Sequence, residues 1–354
     1  MDAQALGDRL FRNVTGTLEL YAVYLGEQLG LYRALADGEA VTSAELADRT
    51  GVAERYVREW LEHQAVAEML EVDDLKADGL TRRYRLPAEH ARVLVDEDDP
   101  KYYGVPLAIS LARVGRRLPS LVEAYRQGSA PPPIPWEPEG RANPNRVRFI
   151  SRLGSEWLPA IPDLDARLRA DPPARVADLA CGMGWSSIAM ARAYPDIRVT
   201  GLDLDADAVT AAQRNAEEAE VADRVHFTAT DAALLPAENR YDVVTIIEAL
   251  HDMSRPVATL RAALNLLADD GTVLVVDTMT ADEFTVPASD TERQDYGWSL
   301  VSCLPGAMDD PDTAATGTIM RPDTLRRYAS EAGFSEVRVL PIDTDYWRFY
   351  QLVR

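Results

Sequence analysis

The sequence predicts an α/β protein: a parallel sheet covered by helices, preceded by a smaller, mostly helical domain. Two observations predict this fold class. From residue 171 to the end, short apolar strands alternate with amphipathic helices, which is typical of a sheet with helices on both faces. Before residue 96, two helices and two strand-like runs follow one another as a helix–turn–helix and a β-hairpin. We therefore expect domains at 1–95 and 171–354, joined by a connector at 96–170.

Local signals define the amino-terminal domain. Thr42 and Glu45 form a capping box that opens a short helix, and Gly51 ends that helix. A second helix is predicted over about residues 53–70, and the two strand-like runs that follow complete a winged-helix pattern. The residues of the second helix that we expect to face inward are Tyr56, Val57, Trp60, Leu61 and Met69.

An earlier helix carries a broad apolar face. Its members are Leu18, Tyr21, Val23, Tyr24, Leu25 and Leu29. We expect this face to be buried against a second subunit, so that residues 1–95 form a dimerisation domain and the protein is a homodimer.

The net charge disfavours nucleic acid as a partner. The chain has 58 acidic and 37 basic residues, for a formal net charge of −21 at pH 7. Residues 1–100 alone contain 21 acidic and 11 basic residues. Because the phosphates of DNA repel an acidic surface, we expect no nucleic acid to bind. DNA binding through the second helix is the alternative for a winged helix.

Composition excludes further classes of protein. The chain has no apolar run of the ~18 residues that a membrane span needs, and its first residues, MDAQALGDRLFRN, lack the apolar core of a secretion signal. We therefore expect no membrane partner and a cytoplasmic location. Two cysteines, Cys181 and Cys303, and four scattered histidines predict neither a disulfide scaffold nor a metal site.

Residues 96–170 are predicted to be a helical connector. We expect a helical pair over residues 101–128, a proline-rich loop over 129–140, and further helix over 146–168. Loops of this length often cover active sites, so the connector is also expected to be an active-site cover.

A glycine-containing turn follows the first strand of the carboxyl-terminal half. Asp178 precedes Gly182 and Gly184, which allow a ligand to approach the backbone closely and a helix to begin tightly. Asp203 ends the second strand, where a carboxylate can accept hydrogen bonds from both hydroxyls of a ribose. These features fit enzymes that bind NAD and enzymes that bind S-adenosylmethionine equally well.

Three further features separate these possibilities. Asp178 precedes the glycines by four residues, where a carboxylate can steer the turn toward a cationic ligand. Asp231 follows the third strand, where it can accept from an adenine amino group, and the last two strands form an antiparallel hairpin. In this order the motifs resemble the class I S-adenosylmethionine-dependent methyltransferases over about residues 171–354. The winged-helix half resembles that of a bacterial, chiefly actinobacterial, branch close to the small-molecule O-methyltransferases.

The resemblance implies a Rossmann-like, seven-stranded catalytic domain, with S-adenosyl-L-methionine as cofactor and S-adenosyl-L-homocysteine as product. The residues implied to bind the cofactor are Asp178, Ala180, Gly182, Gly184, Asp203, Leu204, Asp231, Ala232 and Glu248. Ala180 departs from the family, which commonly has glycine there, but alanine is small enough to keep the turn.

The segment IIEALHDMSRP, after the fourth strand, is similar to the LHDW segment of the small-molecule O-methyltransferases. In that group the histidine removes the proton of the acceptor, which implies that His251 is the general base, with Asp252 beside it. An unperturbed histidine titrates near 6.5, so activity is expected to rise through a pKa of about 6–7. A structural role for His251, held by Asp252 at a helix end, is the alternative.

The resemblance also implies residues around the acceptor. Phe149 and Trp157 lie just before the first strand, where related enzymes close a helix over the cofactor. An insertion at residues 284–308 follows the fifth strand. Its residues that are expected to line an apolar pocket are Tyr296, Trp298, Cys303 and Met308. Core packing accounts for these side chains equally well.

Together, these observations predict a methyltransferase that acts on a small-molecule acceptor, with oxygen as the favoured acceptor atom. Methylation of carbon or nitrogen, and a methyltransferase fold that catalyses a cyclisation or elimination, are alternatives. A ligand-sensing winged-helix regulator that binds DNA is the alternative from a different class.

Overall fold

The computed structural model describes residues 1–132, 143–234 and 241–354. The chain divides into two compact units, one of residues 1–115 with 141–148 and one of residues 116–140 with 149–354. Most of the predicted loop at 129–140 lies outside the described residues. Among the helices of the described ranges, every one is too short or too polar to cross a membrane.

The first unit is helical, with one small hairpin. Its elements are α1 (Ala3–Gln28), α2 (Leu31–Ala34), α3 (Ser43–Thr50), α4 (Glu54–Val66), β1 (Glu71–Val72), β2 (Tyr84–Arg85), α5 (Ala88–Leu94), the first half of α6 (Gly104–Gln127) and α7 (Arg146–Arg148). The capping box of Thr42 and Glu45 is present at the start of α3, and Gly51 ends α3 in the left-handed conformation, as predicted. Strands β1 and β2 pair antiparallel and form the wing.

Three predictions were wrong in detail: the end of the second helix, the inward orientation of Tyr56, and the helical pair at 101–128. Helix α4 ends at Val66 and not near residue 70. Tyr56 is 76% exposed, because the buried face of α4 is formed by Val57, Trp60 and Leu61. Met69 lies beyond the helix and is only partly buried. The expected helical pair at 101–128 is one helix, α6, which contains Pro119 in its interior.

The second unit contains the large sheet. Its strands are β3 (Arg175–Leu179), β4 (Arg198–Asp203), β5 (Val225–Ala229), β6 (Tyr241–Ile247), β7 (Leu267–Thr278), β8 (Glu336–Leu340) and β9 (Trp347–Val353). Their order across the sheet is β5-β4-β3-β6-β7-β9-β8. Strands β3 to β7 pair in parallel, whereas β9 is antiparallel to both of its neighbours. The predicted Rossmann-like sheet with a terminal antiparallel hairpin is confirmed.

Helices cover both faces of this sheet, so that a ligand site is expected at the carboxyl ends of its parallel strands. The helices are α8 (Pro162–Leu168), α9 (Trp185–Ala193), α10 (Ala206–Glu218), α11 (Pro256–Leu266), α12 (Asp290–Trp298), α13 (Leu304–Ala307) and α14 (Pro322–Ala332). Two π-helical segments, Phe149–Trp157 and Ser299–Cys303, precede α8 and α13. Two separate clusters of buried apolar residues pack within the unit. In an open parallel sheet, ligands bind at the carboxyl ends of the strands, so the turns after β3 to β7 are where a site is expected.

Candidate active site

A buried carboxylate organises the turn between β3 and α9. Asp178 is 1% exposed and accepts hydrogen bonds from the hydroxyls of Ser186 and Ser187, each at 2.6 Å, and of Thr245 at 2.7 Å. Burial raises the pKa of Asp178, although the three hydroxyl donors act in the opposite direction. Asp178 was predicted to steer the turn toward a cationic ligand, and in the structure its carboxylate is buried and accepts from these hydroxyls.

The turn itself has an unusual backbone. Ala180, Gly182 and Gly184 have φ values of 55°, 52° and 79°, in the left-handed region. A Cβ atom on Gly184 would lie 2.5 Å from the ring of Phe227, so glycine is required there by space as well as by conformation. Alanine pays roughly 1–2 kcal/mol in this region, so the turn holds Ala180 in a strained conformation. The backbone N–H of Gly182 donates to Oδ2 of Asp203 at 2.7 Å, which joins the turn to the end of β4.

A cleft of about 920 Å³ opens at the carboxyl ends of β3 to β6. The predicted cofactor residues on its wall are Ala180, Asp203, Leu204, Asp231, Ala232 and Glu248, and Asp252 also lines it. Asp178, Gly182 and Gly184 are not on the wall. The opposite side of the cleft was not predicted and is formed by Met253, Ser254, Arg255, Thr259, Gly306, Asp309 and Asp310, among others.

Glu248 lies at the end of β6, where the cleft meets the interior of the unit. Its φ is 54°, and its backbone N–H donates to the carbonyl of Val276 at 2.8 Å. Burial raises the pKa of Glu248 to about 7; the charges of Asp277 and Asp252 add to this, and that of His251 opposes it. The carboxyl group therefore changes charge near neutral pH.

His251 forms a buried pair with Asp277 of β7. Nδ1 of His251 lies 2.6 Å from Oδ1 of Asp277, and the two side chains are 5% and 1% exposed. The backbone N–H of His251 also donates to the same carboxylate at 3.3 Å. Asp277 was not predicted, although an aspartate at the end of the apolar run TVLVVD is a visible signal.

The environment of His251 changes its protonation. Burial lowers the pKa of the imidazole, but the charges of Asp277 and Asp252 outweigh burial and raise the pKa well above 6.5. The prediction of an unperturbed pKa near 6–7 was therefore wrong. Asp252 was expected to orient the ring, but its Oδ1 lies 3.3 Å from Nε2, on the other side of the ring from Asp277.

Cys303 approaches His251 from the insertion. Its thiol is hydrogen-bonded to the imidazole, and the ligating atoms of His251, Asp252 and Cys303 all lie within 4.8 Å of one another. Burial raises the pKa of the thiol, and the hydrogen bond to His251 lowers it, with a net rise. The structure thus brings together two residues that were predicted for different roles, His251 for catalysis and Cys303 for the acceptor.

The other predicted acceptor residues fall into two groups. Tyr296, Trp298 and Met308 are partly buried in the insertion, and the hydroxyl of Tyr296 accepts a hydrogen bond from Arg321 at 3.4 Å.

Phe149 and Trp157 belong to the core instead. The ring of Phe149 stacks on Trp347 of β9 with centroids 5.3 Å apart, and the ring of Trp157 meets Trp347 edge-on at 5.1 Å. Both rings are almost fully buried in this cluster, so an acceptor contact for these two residues stays a prediction.

The raised pKa of His251 predicts a direct observation by NMR. With carbon-13-labelled histidine, the chain shows four imidazoles, and the His251→Gln variant assigns the resonance of His251. We expect this imidazole to titrate above 6.5, and we expect its pKa to fall in Asp277→Asn, where burial persists but the partner charge is lost. The resonances of the other three histidines are internal controls. An equal pKa in both proteins would contradict this account of the pair.

The same shift has a consequence for stability. Since the pKa of His251 is higher in the folded than in the unfolded chain, protonation of His251 stabilises the folded state. This contribution is fully present below about pH 6.5 and is lost as the pH rises through the folded-state pKa.

Comparisons with known proteins agree with this fold. A methyltransferase domain family matches residues 170–324, and an Rv2258c-like winged HTH domain family matches residues 17–96. A ubiquinone biosynthesis O-methyltransferase of Psychrobacter arcticus is 30% identical over 181 residues, which are 49% of this chain and 65% of that relative. The chain thus spans less than two thirds of this curated relative.

Solved structures are similar over the whole chain. The mitomycin 7-O-methyltransferase MmcR is 22% identical, with a TM-score of 0.68 and 99% of each chain covered. Human N-acetylserotonin methyltransferase in complex with SAM is 17% identical, with a TM-score of 0.69, covering 100% of this chain and 98% of that one. At these identities the likeness concerns the fold. Together with the sheet order, the matches show a methyltransferase domain over residues 170–324, with the class I methyltransferase fold, and a winged helix-turn-helix domain over residues 17–96.

Proposed function

We propose that the protein transfers a methyl group from S-adenosyl-L-methionine to a hydroxyl group of a small molecule. One observation supports the proposal: Glu248 and Asp252 line the same cleft as Asp203 and Asp231, and both lie close to the buried His251–Asp277 pair. The cleft residues would hold the adenosyl group, and the pair would remove the proton.

The cleft fits the cofactor in size and in polarity. Its volume of about 920 Å³ lies within the usual range for small-molecule sites. Asp203 accepts one backbone N–H on each oxygen, from Gly182 at 2.7 Å and from Asp205 at 2.9 Å, so each oxygen keeps capacity for a ribose hydroxyl. Asp231 would face the adenine. Adenosylmethionine, when bound, supplies an electrophilic methyl group on a sulfonium centre.

The His251–Asp277 pair would act as the base. Because Nδ1–H donates to Asp277, the other ring nitrogen, Nε2, points away from that carboxylate and can accept the proton of an acceptor hydroxyl. The raised pKa makes the imidazole a stronger base, which suits a phenol, but it also lowers the unprotonated fraction at neutral pH. A base of this kind favours oxygen over an activated carbon, which needs less help to react.

The first prediction concerns the cofactor. In Asp203→Asn the amide oxygen can still accept from Gly182, but the charge that would bind the ribose hydroxyls is lost. Such charge-assisted hydrogen bonds contribute about 1.5–3 kcal/mol, so the affinity for adenosylhomocysteine should fall about 10- to 100-fold by calorimetry. Asp196→Asn, at an exposed position before β4, is the matched control and should bind normally. Unchanged affinity in Asp203→Asn, or tighter binding of NAD, would refute the cofactor assignment.

The second prediction concerns the base. His251→Gln should lower turnover about 10²- to 10⁴-fold, with little change in adenosylhomocysteine affinity, because a positioned base contributes that factor. Radiolabelled adenosylmethionine and a panel of phenols that includes catechol and N-acetylserotonin provide the assay. The wild-type rate should rise with pH through a pKa above 6.5, and in Asp277→Asn this limb should move to lower pH. His226→Gln, at an exposed position on β5, is the control.

The outcome separates the alternatives. Full turnover in His251→Gln would remove the O-methylation proposal and favour carbon or nitrogen methylation, without affecting the cofactor assignment. Cofactor binding with no methylated product from any acceptor class would favour a non-methylating reaction.

We also propose that the first unit dimerises and does not bind DNA. Exposed apolar side chains on α1 repeat at heptad spacing, which is typical of helices that pair. They are Phe11, Val14, Leu18, Tyr21 and Leu25. The three arginines of the wing are each paired with an acid, which disfavours contact with phosphates. The pairs are Arg82–Glu62, Arg83–Glu45 and Arg85–Glu71.

Light scattering tests this proposal. The full chain should have about twice the chain mass of 39.1 kDa. The double variant Leu18→Glu, Leu25→Glu should shift toward the monomer, because it places charges in the apolar heptad positions, whereas Asn13→Glu on another face of α1 should not. Tight, sequence-specific DNA binding at physiological salt would contradict the proposal and favour the regulator.

A further inference from the structure

Three side chains with metal-ligating atoms converge on one point of the second unit. His251 and Asp252 lie in the 3₁₀ turn Leu250–Asp252 after β6, and Cys303 ends the π-helical segment Ser299–Cys303. Their nitrogen, oxygen and sulfur atoms all lie within 4.8 Å of one another. Spacing along the chain did not predict this cluster, because Cys303 belongs to the insertion and is distant in sequence from the other two residues.

The imidazole is held as it is in many metal sites. A histidine that binds a metal through one ring nitrogen commonly donates its other N–H to a carboxylate, which fixes the ring and its tautomer. The carboxylate of Asp277 accepts such a bond from Nδ1 of His251, at 2.6 Å. Nε2 is therefore the nitrogen that faces Asp252 and Cys303, with its distance to Oδ1 of Asp252 at 3.3 Å.

The surrounding charge is also suited to a cation. Around the single imidazole lie the carboxyl groups of Glu248, Asp252 and Asp277, and those of Glu248 and Asp277 form a second cluster of ligating atoms with His251. One imidazolium offsets one of these charges, whereas a divalent ion offsets two.

We propose that His251, Asp252 and Cys303 form a binding site for a thiophilic divalent cation, with Zn²⁺ as the preferred ion. A mixed set of imidazole, thiolate and carboxylate favours zinc over magnesium or calcium, which prefer oxygen alone. Three protein ligands leave a fourth position for water, as in zinc sites that are open to solvent.

Binding has a defined proton balance and a defined consequence. The proton of the Cys303 thiol and any proton on Nε2 of His251 pass to solvent, and the thiolate sulfur and the Nε2 lone pair bind the ion. Since that lone pair of Nε2 is the one that would accept the acceptor's proton, bound zinc inhibits methyl transfer. The inhibition rests on the proposed function, but the binding does not.

The test uses the full chain and two metals. Calorimetry with Zn²⁺ measures affinity and stoichiometry, and Co²⁺ serves as a spectroscopic probe, since a thiolate ligand adds a charge-transfer band and tetrahedral cobalt has intense visible bands. We expect one zinc per chain and a thiolate-to-cobalt band. Cys303→Ser should abolish the band and lower zinc affinity by about 10- to 100-fold or more. Asp252→Asn, at a half-exposed position, should weaken zinc binding and keep the band.

Cys181→Ser is the matched control, because Cys181 is the other cysteine of the chain and lies in the turn after β3. It should keep both the band and the affinity. A cobalt spectrum without a thiolate band, or equal zinc affinity in wild type and Cys303→Ser, would overturn the site. Zinc binding with the band but without inhibition would leave the site intact and argue against His251 as the base. Failure of Asp203→Asn to weaken adenosylhomocysteine binding bears on the cofactor alone.

Discussion

The buried carboxylate of Asp178 is the interaction on which the cofactor side of the site depends. It joins three elements, because it lies in β3 and accepts from two hydroxyls in the first turn of α9 and from Thr245 of β6. A carboxylate without these donors would be costly to bury. With them, it fixes where α9 begins, and so it fixes the left-handed turn between Ala180 and Gly184. The N–H of Gly182 then donates to Asp203, which lines the cleft. The buried carboxylate of Asp178 thus helps to position Asp203 through the turn.

The other side of the site is governed by crowded acids. Burial raises the pKa of Glu248 to about 7, and burial also raises that of Asp295, in α12, to about 6. Both groups interact with the charge of His251, which lowers their pKa values in return. His251 is thus the positive centre of a negative neighbourhood, and this explains why its pKa rises although burial alone would lower it. The charge state of the site responds to pH as a unit and not residue by residue.

Much of the fold was predictable because local patterns specify it. The alternation of strand and helix patterns located the seven strands, and the capping box of Thr42 and Glu45 located the start of α3. The place of Asp203 and Asp231 on the cleft wall was predictable for the same reason, since Asp203 ends β4 and Asp231 lies two residues after β5. The partners of His251 were not, because Asp277 and Cys303 meet it only through the sheet and the insertion. Apolar type alone also could not distinguish a core ring such as Trp157 from a pocket wall.

The geometry of the His251–Asp277 pair is itself a property of the sheet. Strands β6 and β7 are parallel, with Ile247 opposite Val276, and the N–H of Glu248 continues the ladder to the carbonyl of Val276 at 2.8 Å. His251 follows β6 and Asp277 is the next residue of β7, so the register of two buried strands sets the distance between imidazole and carboxylate. Cys303 reaches the same imidazole from the insertion, a less regular segment. The orientation of the imidazole is therefore fixed by the two strands. The side chain opposite Nε2 belongs to the insertion, whose sequence can change without disturbing the sheet.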